Sequence, residues 1–276
     1  MNMLSRIAVI TTACCWWTAG YATEACQPAH QFKTVSEGVL TVATAVIPPF
    51  AIPVNGKVEG VDGDIISEIA RRECLDVKVV VADTKAVLQY VSSQQADVSI
   101  GNWFRTEARG KIMGLSYPVY LDNLGIYSKH GFQSIAQVES SGKPVGTVQG
   151  YFWVGDLQKV FGDKLKLYPN PVALLRDLEA GRISAGLDSL SGGFYAQQKG
   201  ALSGYHLNKS DPDERVKSTT QPAQISFVFT KDNEAIKNAV DADLKKMHEE
   251  GFVRDTLKNY GLSTQDAEVG EPRFIQ

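Results

Sequence analysis

Nowhere does the 276-residue chain hold the uninterrupted run of about 18 apolar residues that a membrane-crossing helix needs. Lysine and arginine are never gathered into a block, which removes the electrostatic footprint of a nucleic-acid surface. There is no P-loop, no G-x-S-x-G elbow and no H-E-x-x-H, and GTVQG (Gly146–Gly150) is not a dinucleotide fingerprint. Histidine is scarce: His30, His130, His206 and His248 stand far apart, without ligand spacing, so no metal or other cofactor is expected. What remains is ordinary globular material, 43% hydrophobic with a net charge of −3, enough for one large domain or two small ones.

Cysteine is also rare, and its placement is informative. Arg6, the uncharged stretch IAVITTACCWW (Ile7–Trp17) and the small residues Gly20 and Ala22 form the three zones of a secretory signal peptide over residues 1–22. A buried first helix, or lipidation at Cys14, are the alternatives. Cleavage after Ala22 would remove Cys14 and Cys15 and leave Cys26 and Cys74. Two cysteines in an exported chain point to one disulfide, with two unpaired thiols as the other reading.

The remainder alternates between β and α signals. VLTVATAV (Val39–Val46), VKVVV (Val77–Val81) and DVSI (Asp97–Ile100) read as buried strands, separated by helical patterns over Asp64–Cys74 and Thr84–Gln94. The scheme repeats with strands at Lys143–Val148, Lys164–Tyr168 and Ile183–Asp188, and helices at Val154–Phe161 and Val172–Ala180. Tyr120–Lys129 and Gln221–Lys231 read as extended segments between the halves, and Glu234–Tyr260 as a helical tail. The expected fold is α/β: two lobes, each a mostly parallel sheet flanked by helices, joined by two hinge segments. Lobe 1 would span 23–121 plus 226–276 and lobe 2 would span 122–225, with hinges at about 120–127 and 221–229.

In open parallel sheets, ligands sit beyond the carboxyl ends of the strands. That rule gathers Phe50, Asn102, Trp103, Phe104, Tyr151, Phe152, Asp188 and Ser189 around one crevice, with Arg109 following the N-cap candidate Thr106. A guanidinium matches a carboxylate two-on-two. Each residue also has a plainer reading: a surface arginine paired with Glu107, aromatics packed in the core, Asp188 capping the next helix.

GVLTVATAVIPPF, GVDGDI and ADVSIGNWFRTEARGKIMGLSYPVY resemble the first lobe of the family 3 extracellular solute-binding proteins, the periplasmic amino-acid receptors of ABC importers. KPVGTVQG and EAGRISAGLD resemble the second lobe, and ISFVFTKDNEAIKNAVDADLKKMHEEG the return segment. The resemblance implies that Arg109 grips a ligand carboxylate and that Phe50 and Ile47 wall the ligand. It also exposes departures. Phe104 stands where a hydroxyl residue is usual, Tyr151 and Phe152 replace a hydroxyl pair, and the ammonium-binding acid falls on Ser189, with Asp188 one residue early. The implied function is an exported, monomeric receptor that closes on a small carboxylate-bearing solute, an amino acid or a similar compound, and hands it to an ABC permease. A cyclohexadienyl dehydratase-like enzyme, or a sensor uncoupled from transport, are the alternatives.

Overall fold

The computed structural model of the protein describes residues 26–275. The expected signal peptide, and with it Cys14, lies outside the described residues. The first lobe is built from β1 (Val39–Thr44), β2 (Ile52–Val54), β3 (Lys57–Glu59), α1 (Val61–Arg72), β4 (Asp76–Val81), α2 (Ala86–Ser92), β5 (Val98–Phe104), α3 (Glu107–Ile112) and β6 (Met113–Leu115). The chain then crosses through β7 (Leu121–Asp122) and β8 (Leu124–Ser128). The second lobe follows with α4 (Ile135–Ser140), β9 (Val145–Val148), α5 (Val154–Phe161), β10 (Leu165–Tyr168), α6 (Pro171–Glu179), β11 (Ala185–Ser189), α7 (Leu190–Gln198) and β12 (His206–Lys209). The chain returns along β13 (Ala223–Thr230) and ends in α8 (Glu234–Glu249) and α9 (Phe252–Asn259).

The first sheet has the order β4-β1-β5-β13-β6, with β7 also on β13, and the second has β10-β9-β11-β8-β12. Strands joined through helices are parallel: β4 and β5 beside β1, and β10 and β11 beside β9. The crossing and returning strands β8 and β13 add antiparallel pairings, so each sheet is mixed. The two-lobe α/β architecture is the one expected of the sequence, but the sheets are not mostly parallel, because the crossing and returning strands pair antiparallel within them. Antiparallel pairing with β13 also extends β5 past Ile100, matching Phe104 to Ile225 and Trp103 to Ser226. The short β-branched run alone could not show that extension.

Other boundaries moved for local reasons. α1 begins three residues before the expected Asp64, because Gly60, at φ 102, turns the chain into the helix under Pro49 and Phe50. Asp62 in its first turn is fully buried and breaks the apolar pattern. The helical tail is two helices, divided at Gly251 in the left-handed region. Asn55 and Gly56, both at positive φ, close the hairpin of β2 and β3, the turn chemistry such pairs favour. Cys26 and Cys74 form a disulfide, fastening the segment before β1 to the end of α1.

Candidate functional site

The carboxyl ends of β1, β5, β9 and β11 face one another across the crevice. Midway along β5, Gly101 (φ 126) and Asn102 (φ 59) turn the backbone so that both amides donate to Asp62 Oδ2, at 2.8 and 2.9 Å. Tyr120 Oη donates to the other oxygen of Asp62 at 2.7 Å. Asn102 Nδ2 then donates to Asp122 Oδ2 at 2.8 Å, fastening β5 to the crossing strand β7. Burial dominates the ionisation of Asp62, and these donors only partly offset it, so its pKa is pushed up to about 6. Asp122, also fully buried, is raised for the same reason.

Arg109 stands in the first turn of α3, whose N-cap Thr106 accepts the Arg109 amide at 3.1 Å. Its guanidinium lies over the Trp103 ring, 5.0 Å from the centroid, and donates through Nη1 to the Phe104 carbonyl. No salt bridge reaches it among the described residues, and Glu107 pairs with Lys111 instead. Burial without a counter-charge pulls the Arg109 pKa down to about 10. The guanidinium lines a cavity of about 20 Å³ closed from the second lobe by Gly150, Tyr151, Phe152 and Trp153.

The aromatics divide between wall and core. Trp103 packs with Ala43, Val87, Val91 and Val228 in the first lobe and donates its indole N–H to Ser99 Oγ at 2.9 Å. Its other face serves Arg109. Phe104 meets Trp153 edge-on across the crevice, with centroids 5.2 Å apart. Phe50 is fully buried and stacks on Tyr120 at 5.5 Å. Phe152 is partly buried at the same cavity.

A second cavity, of about 170 Å³, opens between Pro48 and Phe50 of the first lobe and Tyr127, Tyr151, Asp188 and Tyr195 of the second. Asp188 is 3% exposed and accepts the Ser189 amide at 2.7 Å. Burial, reinforced by the nearby Asp122 charge, pushes its pKa up to about 7. The Tyr151 ring forms part of both cavities. Its hydroxyl is close enough to Asp188 to influence its ionisation, yet it meets no partner at hydrogen-bonding geometry. Ser189 lies in the same wall, but its Oγ caps α7 by accepting the Gly192 amide at 3.0 Å. The helix cap expected as the plain role of Asp188 therefore falls to Ser189, and the Asp188 carboxyl is left facing the cavity.

Arg109 and Asp188 thus border two separate chambers of one crevice, with Tyr151 between them. Sequence reasoning passed over Asp62, Asp122, Tyr127 and Tyr195. An acid set among apolar residues, as in GVDGDI and YLDNLG, was the available signal for the first two. Nothing marked the tyrosines, because their convergence comes from strand pairing.

The chain matches the model of the bacterial extracellular solute-binding proteins, family 3, over residues 40–263, and belongs to that family. It is accordingly a solute-binding protein of the extracytoplasmic class. Among solved structures it is similar to the arginine-, lysine-, histidine-binding protein ArtJ from Geobacillus stearothermophilus, with 20% identity and a TM-score of 0.70. That match covers 80% of this chain and 94% of the other. An amino acid ABC transporter substrate-binding protein from Streptococcus pneumoniae, bound to L-arginine, gives 18% identity and a TM-score of 0.71 over 87% of this chain and all 100% of that one. The ancestral amino-acid-binding protein AncCDT-1, a precursor of cyclohexadienyl dehydratase, gives 19% and 0.67 over 81% and 95%. At these identities the likenesses establish the fold alone. No curated protein shows significant sequence similarity to the chain.

Proposed function

We propose that the protein captures a small solute bearing a carboxylate at one end and a cationic or aromatic group at the other. The observation that carries this reading is the Arg109 guanidinium, partly buried at the crevice with no acid paired to it among the described residues. A carboxylate would supply the missing charge, and a dry site strengthens such a pair. The second group would enter the chamber of Asp188, Tyr127, Tyr151 and Tyr195, where a carboxylate and ring faces can receive an ammonium or an aromatic ring. Tyr151 would swing to join the two chambers.

The lobes, 23–121 with 226–276 and 122–225, would turn about hinges at about 120–127 and 221–229. Ligand touching both lobes favours the closed arrangement, which an ABC permease would recognise. Arginine binding by structural neighbours supports an amino-acid-like ligand. In this reading the protein is an exported monomer, freed of its signal peptide after Ala22, and a receptor rather than an enzyme.

The test is a thermal-shift screen of the mature protein over amino acids, opines, betaines and aromatic acids. A ligand at 100 times its dissociation constant stabilises by about 2.7 kcal/mol. Hits confined to compounds without a carboxylate would overturn the reading. Conversion of prephenate or arogenate to an aromatic product on incubation would assign the crevice to catalysis instead.

A further inference from the structure

Away from the crevice, three residues distant in sequence meet behind the disulfide. His30 lies four residues after Cys26, Glu73 directly precedes Cys74 at the end of α1, and Asp243 projects from α8. One ligand-type atom from each lies within 4.8 Å of the others. The His30 ring Nδ1 is 2.5 Å from Glu73 Oε1, and the His30 amide donates to Glu73 Oε2 at 2.9 Å. Glu73 and Asp243 are each 3% exposed. Neither forms a salt bridge to lysine or arginine among the described residues, and neighbouring Arg72 is engaged by Glu68 and Glu250. Asp243 Oδ2 is buried without any hydrogen-bond partner.

We infer that His30, Glu73 and Asp243 form a binding site for a divalent first-row transition-metal ion, of which zinc is the natural probe. One imidazole nitrogen and two carboxylate oxygens are donors such ions accept, at about 2.0–2.2 Å each. Binding would need both carboxylates ionised and the imidazole deprotonated, so the ion would displace protons; a dication would then cancel the two carboxylate charges and give Asp243 Oδ2 its missing partner. The approach is open on one side, since the His30 side chain is 37% exposed. That leaves room for water to complete the coordination. The donors must separate slightly at His30 and Glu73, and His30 sits in a segment with no helix or strand to resist the shift. Histidine spacing gave no hint of such a site, because two of its three donors are acids and Asp243 comes from the far end of the chain. The ion would pin the segment before β1 to both α1 and α8, beside the disulfide.

The experiment is calorimetric titration of chelator-treated mature protein with zinc chloride, alongside thermal melts with and without the metal. One zinc per chain and a higher Tm are expected, with little response to magnesium. His30→Gln and Asp243→Asn should each weaken zinc binding at least about tenfold, the smaller of the losses seen when even an outer support of a metal site is removed. His206→Gln should leave it unchanged. Absence of binding heat and of any Tm change would overturn the site. So would zinc binding that survives His30→Gln, a substitution at a partly exposed position that leaves the core untouched. Solute affinity at the crevice is a separate readout and should not follow these variants.

Discussion

Arg109 lies with its guanidinium carbon 5.0 Å above the centre of the Trp103 ring. Stacking and the bond to the Phe104 carbonyl fix the plane of the guanidinium before any ligand arrives. Removing Arg109 would leave a ligand carboxylate enclosed without its charge. Arg109→Ala is expected to cost about 2–5 kcal/mol of binding to the best carboxylate hit. Arg109→Lys should recover only part, because a point charge neither stacks nor forks. Titration calorimetry, with circular dichroism to confirm folding, measures both. Wild-type affinity in a folded Arg109→Ala protein would remove Arg109 from the site.

Tyr151 presents the opposite case, a hydroxyl without a partner between the two chambers. Its burial is unfavourable in the free protein, so Tyr151→Phe should leave the unliganded protein as stable as before or more stable by up to about 1 kcal/mol. If the hydroxyl serves the ligand, the same substitution weakens binding. Chemical denaturation and a ligand titration give the two numbers. A clear loss of stability without ligand would show that the hydroxyl already has a structural partner.

Much of this was legible in the sequence, and the reason differs from part to part. Val39–Thr44 and Ala185–Ser189 were readable because buried parallel strands are dense in apolar residues. Thr106 was readable as a cap because its signal is local. Trp103 and Phe104 were not resolvable as wall or core, since β5 continues past Ile100 only by pairing with β13, more than a hundred residues later. The plain alternative for Asp188, a helix cap, went to Ser189 because the N-cap of α7 falls one residue after the strand's last acid. The Asp62 and Asp122 network depends on Asn102 adopting positive φ, which no pattern in the chain announces.

Gly60 offers a test of the frame that holds this network. Its φ is 102, and a Cβ there would stand 2.5 Å from the carbonyl oxygens of Pro49 and Phe50. Both obstacles are backbone and cannot rotate away. Gly60→Ala should lose about 3 kcal/mol or more, or fail to fold, through strain and displacement of Asp62. Gly155, inside α5 with nothing within 4 Å of a Cβ, is the matched control. Gly155→Ala should gain up to about 1 kcal/mol. Equal melting curves for the two variants would contradict this account of Gly60.

Asp188 gives the crevice a pH dependence whose sign can be fixed. Its pKa rises from 3.8 to about 7 in the folded protein, chiefly through burial, with a smaller push from Asp122. Asp62 rises in the same direction, to about 6. Between pH 4 and 7 the unfolded chain has released protons that the folded chain retains, so stability from these groups is full below about pH 4 and is lost as pH rises toward 7. For Asp188 the difference amounts to at most about 4 kcal/mol. Partly buried acids held low by arginines, such as Glu68 and Asp213, slope the other way. Melting the unliganded protein from pH 5 to 8 should therefore show a fall in Tm that Asp188→Asn reduces. Binding inverts the trend. A cationic ligand favours the carboxylate, so its affinity should climb between pH 6 and 8 and release a proton, while a purely anionic ligand gains nothing. Asp188→Asn should flatten that climb and weaken the cationic ligand alone. Calorimetry in two buffers of different ionisation heat counts the proton, and affinity for a cationic hit that is level across this range would place its positive group away from Asp188.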